Sequence, residues 1–117
     1  MSDLASKKCV VCEVGGASLT REESEKLLTE IKGWELSIDL KLISKNFKFK
    51  DFKEAFVFTS KVADLAEEEG HHPEILIGWG KVRIELTTHA VSGLSLNDFI
   101  LAAKIEKKTA DIVQLPS

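Results

Sequence analysis

The chain holds three imidazoles, His71, His72 and His89, and all of them fall in one short stretch. An unperturbed histidine titrates near pH 6.5, so it can give and take a proton under ordinary conditions, and a cluster of them suits acid–base catalysis. Pro73 follows the pair directly. It pushes His72 toward extended backbone, where neighbouring side chains point to opposite sides, so His71 and His72 should not share one role. His89 stands just past Leu86-Thr87-Thr88, on the polar parity of that strand pattern, and taken singly it reads as a surface residue. A zinc shell of three imidazoles and one water is the rival reading of the cluster. Against it, a contiguous His-His turns its rings apart, unlike H-x-x-x-H. Cys9 and Cys12, the only cysteines, supply two thiolates where a closed zinc site wants four ligands. No metal and no cofactor are expected, and the role of the C-x-x-C pair stays open.

The elements that must position these residues follow from hydrophobic period and caps. Residues 1–18 carry no clear period and end in Gly15-Gly16-Ala17-Ser18, which reads as a loosely tethered N-terminal arm ahead of a single domain over 19–117. Thr20 and Glu23 form a capping box for a first helix with Leu27, Leu28 and Ile31 on one stripe and Gly33 as its stop. Alternation then predicts antiparallel strands over about 34–38 and 42–49, joined near Asp39-Leu40-Lys41. Asp51 with Glu54 caps a long second helix, whose stripe is read as Phe52, Ala55, Phe56, Thr59, Val62, Ala63 and Ala66, widened by Phe58 and Leu65. Strands over 74–79 and 81–88 come next, the second with Val82, Ile84 and Leu86 on one face and Lys81, Arg83, Glu85 and Thr87 on the other. Ser95, with Asp98 at the capping-box position, opens a third helix that runs to about Lys107. The order α-β-β-α-β-β-α predicts an α+β fold: a four-stranded antiparallel sheet with three helices packed on one face, its two edge strands open to pairing between subunits.

Bulk properties narrow the function classes. With 117 residues, 44% hydrophobic and 30% charged, the chain can build one core, and a partner would add to its stability. A net charge of −3, with Lys and Arg scattered among the acids, argues against direct nucleic-acid binding. No stretch is long and apolar enough to span a membrane, and the first residues lack the apolar core of a secretory signal, so a soluble protein of the cytoplasm is expected, with an organelle also open.

One combination of residues is specific. Glu67, then His71-His72-Pro73, Trp79, His89 and Asp98, at these spacings, resembles the signature of the pterin-4a-carbinolamine dehydratase family. The resemblance extends to Gly33-Trp34, Phe47-x-Phe49-Lys50-Asp51-Phe52, Thr87-Thr88-His89 and Gly93-Leu94, and covers about residues 20–108. It implies a dimerisation-cofactor-like fold and a cofactor-free hydro-lyase that dehydrates 4a-hydroxytetrahydropterin to the quinonoid dihydropterin in support of tetrahydrobiopterin recycling. On that reading His72 is the base, and His71 and His89 are the acid and positioning groups. Glu67, Pro73, Trp79, Thr87, Thr88 and Asp98 support them or bind the pterin. Glu67, one helical turn before His71, would orient that ring or stand as one more acid of the Glu67-Glu68-Glu69 run. Asp98 would serve the site or only cap its helix, and Trp79 would stack on the pterin or only pack. The family also implies a homodimer or homotetramer. Its rival function is that of a non-enzymatic module, a dimerisation or assembly cofactor of another protein, using the wide apolar stripe around Phe58.

Overall fold

The structure is a computed structural model and describes residues 4–9 and 16–112. Its regular elements are α1 (Arg21–Leu28), β1 (Glu35–Leu36), β2 (Ile43–Lys48), α2 (Phe52–Glu69), β3 (Glu74–Gly78), β4 (Lys81–Leu86) and α3 (Leu96–Lys108), with short 3₁₀ turns at Leu4–Ser6 and His89–Val91. The four strands form one antiparallel sheet in the order β1-β2-β4-β3. This is the α+β arrangement that the alternating and helical periods predict.

The starts of the helices are where the caps require them. Thr20 and Glu23 close a reciprocal capping box on α1, Asp51 accepts the Glu54 N–H at the start of α2, and Ser95 with Asp98 closes a second box on α3. The strands come out shorter than the alternation suggests, because a tight turn takes up their inner ends. Ser37 Oγ donates to Asp39 Oδ1 at 2.6 Å, Asp39 accepts the Lys41 N–H at 3.1 Å, and Leu40 adopts a left-handed conformation between them. These two donors hold the Asp39 carboxyl below its ordinary range, the Ser37 hydroxyl foremost. At the far hairpin, Gly80 has φ +67° and a Cβ there would lie 3.0 Å from the Phe49 carbonyl, so only glycine fits without a shift.

The core sits between the sheet and the helices. Ile43, Phe47, Val82, Ile84 and Leu86 supply the sheet side; Ala55, Phe58, Val62, Leu65 and Ala66 of α2 and Phe99, Leu101, Ala102 and Ile105 of α3 close over it. Phe58 lies between Phe47 and Phe49, with ring centroids 4.6 and 5.0 Å away. The buried stripe of α2 is therefore rotated from the sequence reading. Phe52 and Phe56 are exposed, as is Val57, while Phe58 is wholly buried. Two overlapping apolar stripes fit the same 3.6-residue period, and the three-ring cluster decides between them. A partner-binding role built on Phe58 loses its surface.

The arm is also corrected in its described part. Leu4 is buried in the core, Lys104 Nζ donates to the Ala5 carbonyl at 3.1 Å, and the Cys9 N–H donates to Glu69 Oε1 at 3.0 Å. A single 3₁₀ turn shows no period in sequence, so its docking on α3 had no signal beyond one leucine. Cys12 lies outside the described residues.

Candidate active site

The site is built where α2 ends and the sheet begins. Gly70 takes a left-handed conformation, and its N–H and that of His71 both donate to the Ala66 carbonyl, which stops the helix. His71, His72 and Pro73 then lead straight into β3. Glu74, the first residue of β3, pairs with Glu85 of β4, and β4 runs on through Thr87 and Thr88 to His89. All three histidines therefore leave the same end of the sheet.

His71 turns inward and His72 outward, as extended backbone demands. His71 Nε2 lies 2.6 Å from Asp98 Oδ1, with the ring mostly buried and the carboxylate fully so. The other oxygen, Asp98 Oδ2, accepts from Thr88 Oγ1 at 2.8 Å and from the Ser95 N–H at 3.0 Å, and the Thr88 and Ser95 hydroxyls bond each other at 2.8 Å. A carboxylate offers only lone pairs, so His71 Nε2 carries the proton of this contact and Nδ1 is left for exchange. Asp98 thus does both jobs that the sequence left open: it caps α3 and orients a histidine.

His72 Nε2 lies 2.6 Å from Glu67 Oε2, with both side chains largely exposed. Here the expectation for Glu67 is corrected. The one-turn spacing to His71 holds only while the helix continues, and the Gly70 cap swings His71 away toward α3, so Glu67 orients His72 instead. The exposed pair sets ring orientation more than stability, since such pairs are typically worth about 0–1 kcal/mol.

His89 is exposed and opens a 3₁₀ turn closed by the Thr88–Gly93 bridge. It lines a cavity of about 320 Å³ with Asp39, Lys41, Leu42, Thr87, Ser92 and Gly93. Thr87 Oγ1 bonds the Lys41 and Gly93 carbonyls, tying the strand end to the β1–β2 turn. Thr88, adjacent to His89, is the residue that holds Asp98. Hence His71 and His89 flank one buried Thr88–Asp98 contact.

Trp79 is not brought to this end. It sits in the Gly78–Gly80 turn, 74% exposed, and the length of β3, roughly 16 Å, separates it from the histidine end in the same chain. Neither stacking on a ligand held there nor core packing describes it. Sequence reasoning read Ser95 as the cap partner of Asp98 but missed its hydroxyl's bond to Thr88, and it missed the cavity walls Asp39 and Lys41, which carried only a turn signal. Among the described residues, no group of three or more His, Cys, Asp and Glu side chains is arranged to hold a metal ion.

Fold and site together define a class: an α+β domain with helices on one face of a four-stranded antiparallel sheet, carrying two carboxylate-oriented imidazoles at the sheet end and a third beside a cavity. A family model described as pterin 4 alpha carbinolamine dehydratase matches residues 17–108. A Methylococcus capsulatus protein assigned provisionally as a pterin-4-alpha-carbinolamine dehydratase is 46% identical over 108 residues, covering 92% of this chain and 95% of its own. Pterin-4-alpha-carbinolamine dehydratase 2, mitochondrial, of Arabidopsis thaliana is 45% identical over 92% of this chain and 59% of its own. Among solved structures, a Brucella melitensis transcriptional coactivator/pterin dehydratase is similar with a TM-score of 0.74 and 34% identity over 78% of this chain and 97% of that one. The chain belongs to the pterin-4a-carbinolamine dehydratase family.

Proposed function

We propose that this chain dehydrates 4a-hydroxytetrahydropterin to the quinonoid dihydropterin by histidine general acid–base catalysis, in support of tetrahydrobiopterin recycling. The C4a–O bond breaks, an imidazolium gives its proton to the departing oxygen so that water leaves, and a second imidazole takes the proton from the ring nitrogen as the carbon–nitrogen double bond forms. Each such transfer is typically worth about 10² to 10⁴ in rate. The observation that carries the reading is the pair of 2.6 Å carboxylate contacts, Asp98 to His71 and Glu67 to His72, which fix both rings through Nε2. Each ring thereby keeps Nδ1 as its working nitrogen. His72 serves as base, and His71 with His89 serves as acid and positioning groups. Thr87 shapes the cavity wall beside His89, Thr88 holds Asp98, and Pro73 keeps the histidine pair extended.

The test is to titrate protein labelled with ¹⁵N at histidine with a stable reduced pterin. Ring signals of His71, His72 and His89 should all move at saturation, and unmoved signals from all three would overturn the assignment.

A non-enzymatic module is the second reading. It is supported by the exposed Phe52, Phe56 and Val57 of α2 and by a pterin dehydratase-like RuBisCO assembly factor of the alpha-carboxysome, similar with a TM-score of 0.56 and 25% identity over 65% of this chain. The same exposed face and the free edge of β3 with Leu76 are the surfaces assigned to a homodimer or homotetramer, which sedimentation would count. Cytoplasm is the assigned compartment; the Arabidopsis relative's name places that protein in the mitochondrion.

A further inference from the structure

The described part of the N-terminal arm meets the two backbone segments that carry the His71–Asp98 pair. Cys9 donates its N–H to Glu69 Oε1 at 3.0 Å, and Glu69 stands two residues before His71. Its thiol contacts the Asn97 carbonyl, Sγ to O 3.6 Å, and Asn97 directly precedes Asp98. The clasp is closed by Lys104 of α3, which pairs with Glu69 Oε2 at 3.6 Å and donates to the Ala5 carbonyl at 3.1 Å. Leu4 anchors the far end in the core. Glu69 and Lys104 are nearly buried, so this pair is screened far less than the surface pairs around it.

We infer that the arm is a positioning element: by clasping Glu69 of α2 and the start of α3 together, it sets the distance between His71 and Asp98. The inference deepens the proposed dehydratase, because it names what holds that enzyme's inward histidine in place. The geometry separates this from general scaffolding. Among the described residues, neither His72 nor Glu67 is bonded to the arm, and their pair lies on the exposed side of the same helix end. It serves as an internal control. Electrostatics agree with the geometry: the Cys9 thiol is pushed up to about 12, by burial first and then by the Glu69 charge, so it docks as a neutral group. Glu69 is held below its ordinary range, chiefly by the Cys9 N–H.

The experiment uses the full chain with Glu69→Ala, Glu69→Gln and a deletion of residues 1–9. Histidine ring ¹⁵N spectra and the amide exchange of Cys9 are recorded beside kcat and KM for carbinolamine decay. Glu69→Ala should free the Cys9 amide, move the ring signals of His71 while leaving those of His72, and lower kcat about tenfold at unchanged KM. Glu69→Gln, which keeps an oxygen for the Cys9 N–H, should restore most of both. The deletion should reproduce Glu69→Ala wherever it folds. His71 signals that stay put while the arm is released overturn the inference, and so do His71 and His72 signals that move together. The spectra decide this without turnover, so a failure of the dehydratase reading shows separately, as a wild-type protein without activity.

Discussion

Asp98→Asn isolates orientation from packing, because the side chain keeps its shape and one oxygen. That oxygen can still accept from Thr88 Oγ1 and the Ser95 N–H, the contacts made by Oδ2 in the native side chain. The new amide then faces His71 Nε2, now 2.6 Å from a carboxylate oxygen, and it can only donate. His71 must accept at Nε2 and carry its proton at Nδ1, the reverse of the native tautomer. One buried charge-assisted bond becomes a neutral one, which costs about 1–2 kcal/mol, while the α3 cap survives. For a chain of this size that lowers the melting temperature by roughly 4–8 °C. The excess rate of carbinolamine decay should fall by about 10² or more, because a ring locked in the wrong tautomer cannot move the proton required of it. Stopped-flow decay at fixed pH, with ¹⁵N spectra to read the tautomer, makes the measurement. An Asp98→Asn protein with a reversed tautomer and the full wild-type rate would refute the assignment of His71.

Replacing His72 or His89 by Ala should each lower the excess rate at least about tenfold with the far-ultraviolet circular dichroism unchanged, because both rings are exposed and support no core packing. Phe58→Ala should destabilise by about 3–5 kcal/mol in urea melts, since a wholly buried ring between Phe47 and Phe49 is lost and the sheet cannot collapse into the gap. Docking of the arm should weaken at both pH extremes. Cys9 titrates higher in the folded chain than its ordinary 9.0, so its contribution is complete below pH 9 and is lost as pH rises toward about 12. Glu69 titrates lower than its ordinary 4.5, so its contribution is present above that value and is lost as pH falls through the folded-state one. In a Cys12→Ser background, the extent of amide exchange protection at Cys9, corrected for the intrinsic rate, should therefore be greatest between these limits.

The helix starts were legible because Thr20-x-x-Glu23, Asp51-x-x-Glu54 and Ser95-x-x-Asp98 are local devices, satisfied within one turn whatever the rest of the chain does. The sheet followed from strict alternation in β4. The face of α2 was not legible, since Phe56 and Phe58 both fit a helical stripe and only the Phe47 and Phe49 rings across the core choose between them. In the site, the opposed directions of His71 and His72 came from Pro73 and extended backbone. Their carboxylate partners did not: assigning Glu67 to His71 assumed a helix that the Gly70 cap ends, and Asp98 reaches His71 across a separation of 27 residues. The Glu69–Lys104 clasp was hidden for a similar reason, as one acid of a three-residue run looks like the others until the arm comes to rest on it.

Proton transfer from a histidine site to a pterin carbinolamine is the central claim. Generating the carbinolamine with an aromatic amino-acid hydroxylase and following its absorbance with and without this chain tests it most directly. Decay should speed up in proportion to added wild-type protein, and a chain lacking all three imidazoles should leave the spontaneous rate untouched. Equal acceleration by both proteins, or none by the wild type, would contradict it.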